Sequence, residues 1–398
     1  MSGPLNGLRV LDLSSVIMGP YATAILGDLG ADVIKVELAD GDIGRQLGPS
    51  RHQGMSALSL NLLRNKRSIV LDPRSADGRA ELQQLIKGAD AIVTNLRPGS
   101  RARLGLDWPT VHELNPRVVL CTAQAFASNS SRGSAPAYDD VVQAISGTVD
   151  IYRRAWGEPR FSPSVVADKV CGLFIVNSVL AALYHVRSGG PGQWVDVPMA
   201  DTMLAFNLVE HLSGRTFIPP EGDLGWQRTL VPERAPHRAK DGWVCVMPYS
   251  DRNWTDFFND LGRHDLVADP RFATAPQRHT HSGPLQAALA EIIETDTVHT
   301  WLDMCARLGI AAEEVLDLDH IEDNPYYRER RLLRAVTHPS EGLHHHIRHP
   351  VDYSATPVPE PHPAPNLGAD NGATWMPRGH DRGRTQPAGN STSRGVRE

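Results

Sequence analysis

The chain has 398 residues, 41% apolar and 22% charged, with a net charge of −6 at pH 7. That length holds two or three domains of about 100–200 residues each, and the composition is that of a globular protein with a sizeable core. The acidic balance and the lack of a strongly basic stretch argue against a nucleic-acid partner.

The N-terminal stretch "MSGPLNGLRVLDLSS" lacks the charged-then-apolar order of a secretory leader. The longest apolar run, Val170 to Val186, contains Asn177, Ser178, Tyr184 and His185. It falls short of the ~20 predominantly apolar residues of a membrane span, so no membrane partner is expected. The four cysteines, Cys121, Cys171, Cys245 and Cys305, form no CxxC pair. Buried free thiols and a reducing cytoplasm are the expectation.

Strand and helix signals alternate along the first third. "LRVLDLS" (8–14) predicts a strand, "YATAILGDLG" (21–30) a helix, and "DVIKVE" (32–37) a second strand. "SIVLD" (68–72), "AIVTN" (91–95) and "RVVLCTA" (117–123) are further strands, with a helix over 78–89. This order implies an α/β, Rossmann-like domain with a mostly parallel sheet. Ligands in such sheets gather at the carboxyl ends of the strands, which here are Ser14–Pro20, Glu37–Asp40, Asp72–Arg74 and Asn95–Pro98. Helices are predicted over 138–147 and from Asp168 to about Arg187, where "SGGPGQ" ends the second one. A strand over 194–199 and a helix over 200–214 follow. Residues 1–214 are therefore read as the first part of the large domain.

From Arg215 the chain turns rich in Pro, Gly and charge, the signature of a linker or extended loop. "WVCVMPY" (243–249) and helical patterns near 252–262, 283–295 and 297–309 then suggest a smaller α+β domain, spanning 215–330 with its linker. Residues 331–371, Pro- and His-rich, read as a return segment completing the large domain. The Gly/Arg/Pro-rich stretch 372–398 is expected to be disordered. No GxGxxG, Walker, GxSxG or HExxH pattern is present.

Asp168, ahead of "KVCGLFIV", suits a helix N-cap, and equally a nucleophile kept ionised by the helix dipole. The two roles are compatible. "PAYDDVVQA" (136–144) opens another helix, where Tyr138 and Asp139 could face a reacting group and Gln143 could orient neighbours. The amides around Gly19-Pro20 could bind a carbonyl or an anion. Arg74, Arg97 and Arg103 suit phosphate, or plain surface charge. "HHH" (344–346) and "HTH" (279–281) lack partners at metal-ligand spacing and are read as surface loop, so no metal site is expected.

The order of "LNGLRVLDLSSVIMGPYATAILGDLGADVIKVEL", "NKRSIVLD", "NLRPG", "AYDDVVQAISG", "ADKVCGLFIVNSVLAALYHVRSGGPGQWVDVPMAD" and "KDGWVCV" resembles the family III coenzyme A transferases over roughly residues 4–370. The related α-methylacyl-CoA racemases belong to the same superfamily. The resemblance implies an interlocked homodimer and an acyl-CoA:carboxylate CoA-transferase. Such an enzyme takes an acyl-CoA donor and a carboxylic acid acceptor, with CoA thioester as substrate and no prosthetic group. It implies Asp168 as the catalytic nucleophile, passing through a mixed anhydride and an aspartyl-CoA thioester. It implies thioester contacts from Ile17, Met18, Pro136, Ala137, Tyr138 and Asp139. It implies CoA contacts from Leu38, Leu71, Asp72, Pro73, Arg74, Asn95, Leu96, Arg97 and Arg103. Tyr138 stands where the racemases place a catalytic histidine, which favours transferase chemistry over racemisation. Ile17 and the glycine-poor 220–235 stretch make oxalate a poor acceptor and a larger or less polar acid a better one. Racemisation and acyl-CoA binding without turnover are the alternative readings.

Overall fold

The computed structural model describes residues 3–378. Its main sheet has six parallel strands in the order β3-β2-β1-β4-β5-β6. They are β1 (Arg9–Asp12), β2 (Asp32–Glu37), β3 (Lys66–Val70), β4 (Ala91–Thr94), β5 (Val119–Gln124) and β6 (Gln193–Pro198). Side chains alternate between the two faces. Val10, Val33, Val93 and Val119 join one core, and Leu11, Ile34, Ile92 and Leu120 the other. Burial on both faces explains why β4 and β5 read as unbroken apolar runs.

The connecting helices are α1 (Met18–Asp28), α2 (Ala57–Leu62), α3 (Ala76–Gly88), α4 (Pro98–Arg103), α5 (Trp108–Leu114), α6 (Asp139–Ile145), α7 (Thr148–Trp156), α8 (Val166–Arg187) and α9 (Met199–His211). Sequence reasoning missed α2, α4, α5 and α7. Pro98 and Pro109 sit in the first turns of α4 and α5 and start those helices rather than breaking them. α8 runs for 22 residues and is long and apolar enough to cross a membrane. Here Ala167, Cys171, Ile175 and Val179 bury its inner face in the core shared with β5 and α1. The strand order reverses between β1 and β4, so a crevice opens there at the carboxyl ends of the sheet.

A second core lies around an antiparallel sheet of β7 (His237–Arg238), β8 (Trp243–Met247) and β9 (Ala311–Glu314). It is packed by α10 (Asp251–Asp260), α13 (Ser282–Ile293) and α14 (Val298–Leu308) through Phe257, Leu289, Ile293 and Trp301. Two short helices, α11 (His264–Val267) and α12 (Ala275–Thr280), bridge them, and α15 (Pro325–Arg330) leads onward.

Two expectations change in the C-terminal part. "HHH" is not loop but part of β11 (Gly342–Ile347), paired with β10 (Leu333–His338). Strand alternation sets His345 on the opposite face from His344 and His346: His346 is buried, whereas His345 reaches Glu322 at 3.0 Å. The chain then runs beside β3, where Asn371 Oδ1 accepts the Val70 N–H at 2.7 Å. Residues 372–378 are not loose: Trp375 Nε1 donates to the Leu85 carbonyl at 3.0 Å and Arg378 pairs with Asp90 at 2.9 Å. The remainder of that predicted tail, 379–398, lies outside the described residues.

Candidate active site

The β1–α1 loop forms the centre of the crevice and is held from both sides. Asn95, just past β4, accepts the Ser15 N–H at 3.0 Å and donates back to the Ser15 carbonyl at 2.8 Å. Asp42 Oδ1 accepts the Val16 N–H at 3.0 Å. These clamps hold Val16 at φ 71°, a costly conformation for a β-branched residue. The turn leaves the N–H groups of Ile17, Met18 and Gly19 without a partner among the described residues, at the start of the 11-residue α1. Of the amides ahead of Gly19-Pro20, the stretch that the sequence singled out, Val16 is therefore engaged, whereas Ile17 to Gly19 remain able to donate to a carbonyl or oxyanion.

A fully buried charge cluster supports this loop. Lys66 Nζ donates to Asp12 Oδ2 at 2.9 Å, to Thr23 Oγ1 at 2.7 Å and to the Pro20 carbonyl at 2.9 Å. Lys35 Nζ donates to Asp42 at 3.0 Å and also to the Ser14 carbonyl. Burial alone would raise the Asp12 carboxyl, but Lys35 and Lys66 hold it well below the usual range. Burial pushes Lys66 down to about 8, resisted by Asp12 and assisted by Lys35.

Asp168 enters from α8. It is the third residue of the helix, whose N-cap is Val165 with no side-chain cap. The N-cap reading is thus corrected: the Asp168 side chain is free of capping duty. Gly172, one turn on, lets α8 approach α1, since a Cβ there would lie 2.8 Å from the Tyr21 ring and 3.1 Å from the Met18 carbonyl. Asp168 is half-buried, and its backbone N–H donates to Asp139 Oδ1 at 2.9 Å. Asp139, in the first turn of α6, is buried and also accepts from Gln143 Nε2 at 2.5 Å. The expectation that the helix terminus keeps Asp168 fully ionised is overturned. Burial first, and the Asp139 charge second, push its carboxyl up to about 7.

Asp168 lines a cleft of about 190 Å³. Ile17, Met18, Ala137 and Tyr138 of the predicted thioester set line it too, as do Asn95 and Arg97 from the predicted CoA set. Pro136 does not line it, and Asp139 stands behind Asp168 rather than in the opening. A second cleft of about 340 Å³ shares Ser15 with the first and holds Leu38, Leu71, Pro73, Arg74 and Leu96. Asp72 and Arg103 line neither cleft. Asp72 pairs with Arg74 at 2.8 Å on the exposed rim, and Arg103 donates to Ser100 Oγ at 3.0 Å.

Sequence reasoning missed Gln124 in the first cleft. Its side-chain amide donates to the Phe126 and Gly133 carbonyls at 3.0 Å each, and its oxygen accepts from Arg101 at 3.3 Å. It ends β5, so the strand-end rule applied to that strand finds it.

The model of CoA-transferase family III matches residues 5–371. Succinate–glutarate CoA-transferase of Agrobacterium fabrum is 29% identical over 92% of this chain and 93% of its own length. Formyl-CoA:oxalate CoA-transferase of Escherichia coli is 28% identical over 96% of this chain and 97% of its own. Among solved structures, a CaiB/BaiF family protein from Brucella suis superposes with TM-score 0.78 at 26% identity, covering 93% of this chain and 97% of that one. A Mycobacterium tuberculosis protein does so with TM-score 0.79 at 28% identity, over 93% and 98%.

Proposed function

Because the chain belongs to CoA-transferase family III and is an enzyme of that class, we propose that it exchanges CoA between an acyl-CoA and a free carboxylate through covalent intermediates on Asp168. The observation that carries this is that Asp168 is the single carboxylate lining the cleft among the described residues, beside the unpartnered amides of α1.

An Asp168 oxygen attacks the thioester carbon of the donor, the C–S bond breaks, and CoA leaves as thiolate with a mixed anhydride behind it. The thiolate then attacks the aspartyl carbon, releasing the donor acid and leaving an aspartyl-CoA thioester. The acceptor carboxylate attacks that thioester and forms a second anhydride. Attack of the thiolate on the acceptor acyl carbon regenerates the Asp168 carboxylate. Each step is one acyl transfer, which divides a hard exchange into easier parts. Negative charge on each tetrahedral oxygen would meet the amides of Ile17 to Gly19. The neighbouring Cys171 is no rival nucleophile, since burial and the two aspartates push its thiol up to about 12.

The second cleft would take the nucleotide of CoA. Leu38, Leu71, Leu96, Leu104 and Leu106 give it apolar walls, and Arg74 stands at its edge. The shared Ser15 would mark where the pantetheine passes to Asp168. Ile17, Met18, Ala125, Ala137 and Met199 suit an acceptor with more hydrocarbon than oxalate offers. Among the described residues no histidine lines the cleft, so C2 proton abstraction has no imidazole to serve it. The apolar outer face of α8 and α9 supports a homodimer: Tyr184 is 75% and Val209 85% exposed, with Phe174 and Phe206 nearby in sequence. Light scattering that returns a monomer mass would remove that part of the reading. The chain 331–371 would close the large domain, and unpaired cysteines favour a reducing compartment. Incubation with acyl-CoA followed by mass spectrometry of the Asp168 peptide tests the mechanism. A peptide without bound CoA, in an enzyme that turns over, would remove it.

A further inference from the structure

We propose that Gln143 is a positioning residue that keeps Asp139 ionised, and so leaves the proton shared by the two carboxylates on Asp168. The relay begins at a backbone group that cannot change role. The Ser162 N–H donates to Gln143 Oε1 at 2.9 Å. An amide whose oxygen is engaged in this way must present its NH2 to its other neighbour. That neighbour is Asp139 Oδ2, at 2.5 Å. The other oxygen of Asp139 accepts the Asp168 N–H at 2.9 Å. Both donors are fixed, one on each Asp139 oxygen, and hydrogen bonds donated to a carboxylate favour its charged form over the weaker-accepting acid. Gln143 is fully buried and Asp139 is 6% exposed, so water does not substitute for the relay.

No cation is paired with Asp139 among the described residues. Its charge therefore acts on Asp168 uncompensated. The other titratable groups around the pair are few. Tyr138 precedes Asp139 on α6, and Asp140 follows it. Lys169 and Cys171 lie on α8, with the Lys169 amine turned to Ser164 Oγ. Tyr21 packs from α1 against Gly172, and Arg97 lines the cleft from the β4–α4 loop. A proton entering the pair goes to Asp168, whose carboxyl is pushed up to about 7 by burial first and by the Asp139 charge second. The consequence for catalysis rests on Asp168 being the nucleophile: its conjugate acid is weak enough to make a strong nucleophile, yet half of it is ionised near neutral pH.

Two substitutions pull the pair in opposite directions. Gln143→Leu opens Asp139 Oδ2 to a proton, and the acid limb of kcat/KM is expected to move down by on the order of one pH unit. Gln143→Glu can donate only while protonated and adds a third anion once ionised, so the limb is expected to move up. A merely structural role lowers kcat in both and moves neither limb. The protonation itself is read without turnover, from protein labelled with carboxyl-13C aspartate, with the Asp168 signal assigned by its loss in Asp168→Asn. The expected midpoint for Asp168 lies near 7 in the unsubstituted chain and lower in Gln143→Leu. An Asp168 titrating as an ordinary aspartate, or one whose midpoint is the same in both folded variants, overturns the inference. Because this readout does not use activity, its failure is distinct from failure of the nucleophile assignment.

Discussion

Two groups of carboxylates, buried or half-buried, share one end of the sheet and are treated in opposite ways. Asp12 lies against Lys66 and near Lys35, accepts two hydroxyl hydrogen bonds, and is held ionised far below its usual value. Asp139 and Asp168 lie together with no cation paired to either among the described residues, and burial first and the Asp139 charge second push Asp168 up to about 7. The first arrangement satisfies every charge and fixes the β1–α1 loop. The second leaves charge uncompensated where a reaction needs a reactive oxygen. Perturbed groups of this kind mark functional sites, and here the stable cluster holds the backbone that the unstable pair would use.

Substitutions in the two clusters test that contrast. Asp168→Ala is expected to reduce CoA exchange by on the order of 10³-fold or more, measured by acyl-CoA formation, because the covalent path is lost. Lys66→Met leaves Asp12 buried beside one remaining lysine and should cost about 3–5 kcal/mol in denaturant unfolding.

Asp168→Asn should do the reverse for stability. The folded carboxyl titrates above its ordinary value of 3.8, near 7, so the folded state holds the extra proton between those limits. Stability therefore falls as pH rises through that window and stays reduced above it. The asparagine variant should gain on the order of 2 kcal/mol at pH 8 and little at pH 4. Equal gains at both pH values would contradict a carboxyl raised by burial and by the Asp139 charge. The smallest effect is expected for Asn95→Ala, which removes the two-sided grip on Ser15. Its KM for acyl-CoA should rise about fivefold, roughly 1 kcal/mol, with little change in global unfolding.

Much of the sheet was legible because its strands are buried on both faces and read as apolar runs bounded by turn residues. The strand-end rule marked the stretches that hold Ile17, Met18, Asn95 and Arg97, and the family resemblance singled out those residues together with Asp168 and Tyr138. What the sequence hid was long-range. Nothing local shows that Asp42 reaches Val16, or that Ser162 sets the orientation of Gln143. The direction of the Asp168 shift was misread for the same reason. A helix terminus is visible in sequence, but the burial of Asp168 and the approach of Asp139 from 29 residues away are visible only in the fold. The β10–β11 hairpin was hidden by composition, since its histidines and arginines suggest loop until strand alternation sorts them.

The most direct test is mass spectrometry of the enzyme quenched during turnover with an acyl-CoA and an acceptor acid. CoA bound through a thioester to the peptide carrying Asp168, and absent in Asp168→Asn, is the expected result. Sustained exchange with that peptide unmodified, or CoA found on another residue, would contradict it.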